Sequence, residues 1–242
     1  MFYLEKNKLD QKIEHWPKFY EEQAKTCKNE ILKAYYQAGI DPPTTQLKQA
    51  NLVALDLETT GLDAQRNSIV SVGVVPFSAS RIYLSQAKYW VVKPRGQLNE
   101  SSIVIHGITH SEIEQAQDFS HIMAELFQAI SGKVVVAHCA SIEKSFLNKA
   151  LQHRLKEGIQ FPVIDTMNLE AKISQYKPLN FWDKFLGREA ISLRLGDARN
   201  RYHLPYYKPH HALSDALACA ELLQAQIAYA YSDNTELAKL WE

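Results

Sequence analysis

The sequence predicts an α/β fold with a helical extension at its N-terminus, and three observations carry that expectation. From residue 51 the chain reads as strands, "LVALDLE", "SIVSVGVVPF" and "RIYLSQAKYWVVKP". Their connections, "TTGLDAQRN" and "SAS", are short enough for an antiparallel meander. Helical and strand-like stretches then alternate through "DFSHIMAELFQAI", "KVVVAH", "SIEKSFLNKALQHRL" and "FPVIDTMN", which implies a crossover unit with parallel strands. The chain closes on helical material that includes "ALSDALACAELLQAQIAYAY".

The extension shows apolar and aromatic residues at helical spacing: Ile13, Trp16, Phe19 and Tyr20, then Ile31, Leu32, Tyr35 and Tyr36. This spacing predicts one or two amphipathic helices, stopped by "GIDPPTT" because paired prolines cannot continue a helix. The expected division is a helical segment at 1–50 followed by a domain at 51–242. The first 50 residues hold 8 lysines against 7 acids, so the extension is not a basic arm. Its apolar stripe is expected to pack on the main domain; docking of a polymerase or another protein is the other use open to it.

Composition excludes several classes. At 242 residues, 46% hydrophobic and 22% charged, the chain has the make-up of a folded globular protein. Lysine plus arginine (27) equal aspartate plus glutamate (27), so no global positive field attracts nucleic acid, and a polyanion must be held locally. Cys27, Cys139 and Cys219 are odd in number and form no CxxC, which argues against a zinc site or a disulfide framework. They read as core thiols in a reducing compartment. No apolar run of about 18 residues and no apolar leader are present, so the expected location is cytoplasmic, away from membranes.

The chemistry begins at "VALDLETTG" (53–61). A strand alternates faces, so Asp56 and Glu58 share one side and Val53, Leu55 and Leu57 the other. Two carboxylates so close ionise together only where a cation or strong donors neutralise them. An edge strand with its acids in water would be the plainer arrangement. Two further segments place acids at the ends of apolar elements. In "VVVAHCASIEKSFL" a strand turns into a helix, with Ser141 as the expected N-cap and Glu143 in the first turn, where the helix dipole alone favours a carboxylate. In "KPHHALSDALACAEL", Asp215 sits on a helix among small apolar residues.

Together, "DLETTG", "AHCASIEKSFL" and "HHALSDA" resemble, in order and spacing, the three motifs of the DnaQ-like DEDDh 3′ to 5′ exonucleases, which include polymerase proofreading subunits and RNase T. The resemblance runs from about Leu52 to Leu223. It implies an RNase H-like fold, a mixed five-stranded sheet with three antiparallel and two parallel strands flanked by helices. It also implies Asp56, Glu58, Glu143 and Asp215 as ligands of two Mg²⁺ or Mn²⁺ ions, with His210 as general base. Glu143 departs from the family, which usually has Asp there. Asp165, in "IDT", matches a structural segment of the family and not a ligand position. Carboxylate ligation suits these hard cations. A histidine can accept a proton near neutral pH.

The implied activity is hydrolysis of phosphodiester bonds at a nucleic acid 3′ end, DNA or RNA, with release of nucleoside 5′-monophosphates. A non-catalytic nucleic-acid-binding or adaptor module on the same fold is the alternative. Thr59, with His106 and Gly107 of "IHGIT", would contact the terminal nucleotide. Residues 174–209 carry Lys177, Lys184, Arg188, Arg194, Arg199, Arg201 and Lys208 among aromatic residues. Cations for phosphates with rings for stacking would suit a single strand.

Overall fold

The computed structural model describes residues 15–95, 110–176 and 191–241. Strand β1 (Leu52–Thr59) lies at the centre, not at an edge. It pairs antiparallel with β2 (Ile69–Phe77), which pairs antiparallel with β3 (Lys88–Lys93). On its other side β1 runs parallel to β5 (Val134–Ala137), and β5 parallel to β6 (Val163–Asp165). These are the three antiparallel and two parallel strands expected. A sixth, β4 (Gln117–Asp118), adds two residues parallel to β3 and gives the order β4-β3-β2-β1-β5-β6. So short a strand leaves no periodicity to read in a sequence.

Helices cover both faces, and the alternation along β1 sorts its side chains between two cores. Val53, Leu55 and Leu57 enter one cluster with α4 (Phe119–Ile130) and α5 (Ser141–Leu155). Leu52 and Ala54 enter the other, with the C-terminal helix α8 (Ala212–Ala230). Of the remaining helices, α3 (His110–Gln115) precedes β4, while α6 (Thr166–Ile173) and α7 (Leu195–Arg201) lie between β6 and α8. No described helix is long and apolar enough to cross a membrane.

The N-terminal helices are α1 (Trp16–Thr26) and α2 (Glu30–Gln37). Trp16, Tyr20, Leu32, Tyr35 and Tyr36 are buried in the same cluster as Phe127 and Ile130. The Tyr20 and Tyr35 hydroxyls share a hydrogen bond of 2.6 Å, which satisfies two polar groups at once inside that core. The stripe therefore faces the protein's own fold. Residues beyond α2 are also tied in, since Leu47 N–H donates to the Thr235 carbonyl and Leu237 N–H to that of Thr45.

Two local details differ from expectation. Ser141 does not cap α5; Ala140 occupies that position, and the Asp165 carboxylate accepts its N–H at 3.0 Å. A capping group supplied from β6 leaves no mark in the sequence beside the helix. Of the three free thiols only Cys219 is buried; Cys27 and Cys139 are half-buried.

Helix α8 starts unusually close to the sheet. A Cβ built on Gly73 of β2 would lie 2.2 Å from the Ala212 carbonyl oxygen and 2.5 Å from the Leu213 nitrogen. Both are backbone atoms and cannot rotate away. Gly73→Ala is expected to destabilise the protein by about 1–3 kcal/mol through overpacking, measured by urea denaturation; a neutral substitution would mean that α8 slides freely on β2.

Candidate functional site

Gly73 pairs with Asp56 across β1 and β2, so the close approach of α8 brings its first turn directly over the acids of β1. Carboxylate oxygens of Asp56, Glu58 and Asp215 lie within 4.8 Å of one another. They line a cleft of about 1170 Å³ whose walls include Thr59, His138, Cys139, Glu143, Arg194 and His210.

Glu143 reaches this cleft from the first turn of α5 and stands outside the three-acid group. It is 3% exposed, and its Oε2 is buried with no hydrogen-bond partner among the described residues. The position of α5 is set from β6. Asp165 accepts the N–H groups of Cys139 (3.1 Å) and Ala140 on one side, and of Met167 (2.9 Å) and Asn168 (3.4 Å) on the other. Asp165 thus clamps the start of α5 to the start of α6. With its carboxylate committed to four backbone donors, it serves the frame, as its sequence context implies.

The acids disturb one another's titration. Burial, and after it the charges of Glu143, Glu58 and Asp215, push Asp56 well above the usual carboxylate range. Glu143 is raised by burial first and then by Asp165 and Glu58, against the pull of its own backbone N–H. Asp215 is raised by burial and by Glu58, while the His210 backbone N–H, 2.8 Å from Oδ2, pulls it down. This is a donor set of oxygens only, crowded with negative charge and holding an orphaned buried carboxylate oxygen. A hard divalent cation fits it.

The two adjacent histidines separate. His211 caps α8 through a long contact from Ser214 N–H at 3.5 Å and stacks on Tyr89, with centroids 4.6 Å apart and planes 19° from parallel. His210 is exposed on the cleft wall at a φ of 70°, a left-handed conformation that a non-glycine residue adopts only when its surroundings impose it. In this conformation its own N–H is donated to Asp215. Thr59 lines the cleft with its hydroxyl donated to the Gly61 carbonyl at 2.7 Å, so it also shapes the turn. His106, Gly107, Lys177, Lys184 and Arg188 lie outside the described residues.

Some expected phosphate cations have other work. Arg199, 3% exposed, donates to the carbonyls of Ala218 (2.6 Å) and Pro205 (2.8 Å) and to Glu221 (2.7 Å). Its guanidinium also lies 4.7 Å from the Tyr207 ring centroid, and Tyr207 donates its hydroxyl to Glu221. Arg201 is bound to Glu170 and to the Ser192 carbonyl, and Tyr202 donates to Glu170 as well. These groups hold the segment that leads to His210. A run of basic residues gives no sign of which ones are buried. Among the described residues of that stretch, Arg194 and the exposed Tyr206 line the cleft as well, beside Arg199 and Tyr207. His138, its charged form disfavoured by burial, bridges Thr166 Oγ1 (2.9 Å) and the Leu193 carbonyl (2.8 Å) and ties the opposite wall to β5.

A family model described as Exonuclease (RNase T) matches residues 53–223, a span that begins at β1 and includes all three acid-bearing segments. The chain belongs to this exonuclease family. It is 28% identical over 181 residues to a DNA polymerase III subunit epsilon of Treponema pallidum, covering 75% of this chain and 78% of that protein. It is 24% identical over 197 residues to a DNA polymerase III PolC-type of Thermotoga maritima, covering 79% of this chain but 13% of the relative's length. The nuclease domain of 3′hExo, a DEDDh family member solved with bound rAMP, shares the fold with a TM-score of 0.59 at 15% identity, over 74% of this chain and 92% of that domain.

The raised acids make stability depend on pH and metal. A carboxyl raised in the folded state contributes stability below its unfolded value, near pH 4, and that contribution is lost as pH climbs through the folded value. In EDTA, Asp56→Asn is therefore expected to melt above the wild type by a margin that widens from pH 5 to pH 8. Mn²⁺ should raise the wild-type Tm and close the gap, since a ligand bound only to the folded state stabilises it. Equal melting curves at every pH, with no metal response, would contradict the crowding of charge at this site.

Proposed function

We propose that the protein is a divalent-metal-dependent 3′ to 5′ exonuclease that hydrolyses phosphodiester bonds at nucleic acid 3′ ends and releases nucleoside 5′-monophosphates. The observation that carries this reading is the convergence of Asp56, Glu58 and Asp215 within 4.8 Å, in a cleft large enough for a nucleotide with His210 on its wall. Asp56, Glu58 and Asp215, with Glu143 as a fourth carboxylate, would hold two Mg²⁺ or Mn²⁺ ions. Bound there, such ions supply Lewis-acid stabilisation of the transferring phosphoryl charge.

The protein's own groups do the rest. The His210 imidazole, projecting from the loop before α8, takes the proton from the attacking water. The Asp215 carboxylate, by accepting the His210 N–H, holds that imidazole against the cleft. Thr59, with His106 and Gly107, would contact the terminal nucleotide, and Arg194 and Tyr206 would meet the phosphate and base behind it. The similarity to polymerase III subunits supports a polymerase as partner. Because the stripe of α1 and α2 is turned inward, that partner would use other surfaces. The three free thiols support action in the reducing cytoplasm.

Incubation of 5′-labelled DNA and RNA oligonucleotides with Mg²⁺, Mn²⁺ or EDTA tests the reading directly. A ladder shortening from the 3′ end with either metal, and none in EDTA, is expected. Intact oligonucleotides in all lanes would overturn the proposal.

Two substitution series assign the roles. His210→Ala should lower turnover by a factor on the order of 10² to 10⁴ with metal binding retained, and His211→Ala far less. His210→Gly should be equally inactive yet melt no lower than the alanine variant, because glycine accepts a positive φ. At position 143, Glu143→Ala should abolish cleavage and weaken Mn²⁺ binding. Glu143→Asp should cost on the order of 10²-fold in rate, since the shorter side chain falls about 1 Å short in a frame set by Asp165. An active Glu143→Ala protein would remove Glu143 from the metal site.

A further inference from the structure

A second cavity, of about 540 Å³, lies across the β1–β2 connection from the cleft. Thr60, Gly61 and Leu62 line the cleft, and Ala64 to Ser68 of the same connection, with Ile69 at the start of β2, line the second cavity. Its charged lining is Arg66, Lys93, Arg95, Lys149, His153 and Arg154, and among the described residues no aspartate or glutamate lines it. In a chain whose basic and acidic residues balance at 27 each, five permanent cations around one cavity form a local field of a kind the overall charge does not give.

These cations are only partly neutralised. Arg154 is held by Asp118 through two hydrogen bonds of 2.9 and 2.6 Å. Arg66 has a 3.5 Å contact with Asp63, both largely exposed, a pairing that water and salt weaken. Lys149 donates to the uncharged Gln65 side chain. Lys93 and Arg95 are exposed and have no acidic partner among the described residues. Phe119 and Phe146 form an apolar wall that strengthens the field above it.

We propose that this cavity binds a backbone phosphate of the nucleic acid strand whose 3′ end occupies the cleft. Helix α5 relates the two places: Glu143 faces the cleft, while Lys149 and His153 face the second cavity. At about 1.5 Å per residue they lie roughly 9 and 15 Å further along the helix axis. Even in a duplex strand one phosphate takes only about 3.4 Å of axis, so the cavity meets the backbone upstream of the nucleotide being cleaved. Substrate length thereby becomes part of recognition: a dinucleotide fills the cleft alone, and a longer strand engages both. The inference takes its ligand from the exonuclease reading above.

The test uses the full chain and the double variant Lys93→Glu/Arg95→Glu, at two exposed positions outside the cleft. Binding of a 5′-fluorescein-labelled 12-mer is followed by anisotropy in EDTA at 50 and 200 mM salt. Cleavage of the 12-mer and of a dinucleotide is followed with Mn²⁺. The variant is expected to bind the 12-mer on the order of 10-fold more weakly at low salt, with a salt slope shallower by about 1 to 2. Its kcat/KM should fall for the 12-mer and stay unchanged for the dinucleotide. Equal 12-mer binding by wild type and variant would overturn the proposal, as would a dinucleotide rate that falls as far as the 12-mer rate. If the wild type cleaves neither substrate, the exonuclease reading fails, and the binding measured in EDTA still decides whether the cavity holds nucleic acid.

Discussion

The close packing of helix α8 on Gly73 is the constraint on which the site rests. Asp56 and Glu58 arrive together by the simple alternation of a strand, but Asp215 comes from more than 150 residues later and must be carried in on a helix. Only where β2 lacks a Cβ does the backbone of that helix come low enough to set a third carboxylate beside the first two. The sheet order makes this a costly place for charge. Strand β1 is central and covered on both faces, so its acids, Glu58 buried and Asp56 half-buried, are partly withdrawn from bulk water before any counter-charge is present. The fold therefore stores repulsion at one point and spreads the compensating apolar burial through the two clusters on either side.

A second layer of polar groups turns that arrangement into a fixed geometry. Asp165 joins the starts of α5 and α6. Glu170 joins α6, α7 and α8 by accepting from Arg201, Tyr202 and Gln226. Each of these buried carboxylates is satisfied by several donors, which is how a protein keeps a charge inside without a metal. Glu143 differs: its Oε2 has no such donor among the described residues, and the contrast with Asp165 separates a framework acid from one left available.

Much of this was legible in the sequence, for identifiable reasons. Strand alternation placed Asp56 and Glu58 on one face, and helical spacing in Trp16, Tyr20, Leu32 and Tyr35 foretold the buried stripe. The family resemblance carried by "HHALSDA" pointed to His210, and the structure sets His210 on the cleft wall and His211 at the cap of α8. What could not be read were contacts that join distant segments: the cap on α5 supplied by Asp165, the closeness that makes Gly73 necessary, and the burial of Arg199. Arg199 looked like a phosphate cation because burial depends on which helix crosses above it, and a local pattern contains no such information. The cationic cavity was hidden for the same reason, since its residues are drawn from the β1–β2 connection, the end of β3 and α5.

The stretch that leads to His210 is held at both ends, where Arg199 holds the Pro205 carbonyl and where Asp215 holds the His210 N–H. Between these points run Tyr206, Tyr207, Lys208 and Pro209, with Tyr207 tied to Glu221. The segment acts as a spacer of set length. Most surface connections absorb insertions at little cost because loop-closure entropy grows slowly with length. Here one residue more or fewer is expected to strain these contacts and to shift the imidazole on the cleft wall. Length variation among related chains should accordingly collect in other loops, and this spacer should keep its residue count even where its side chains differ.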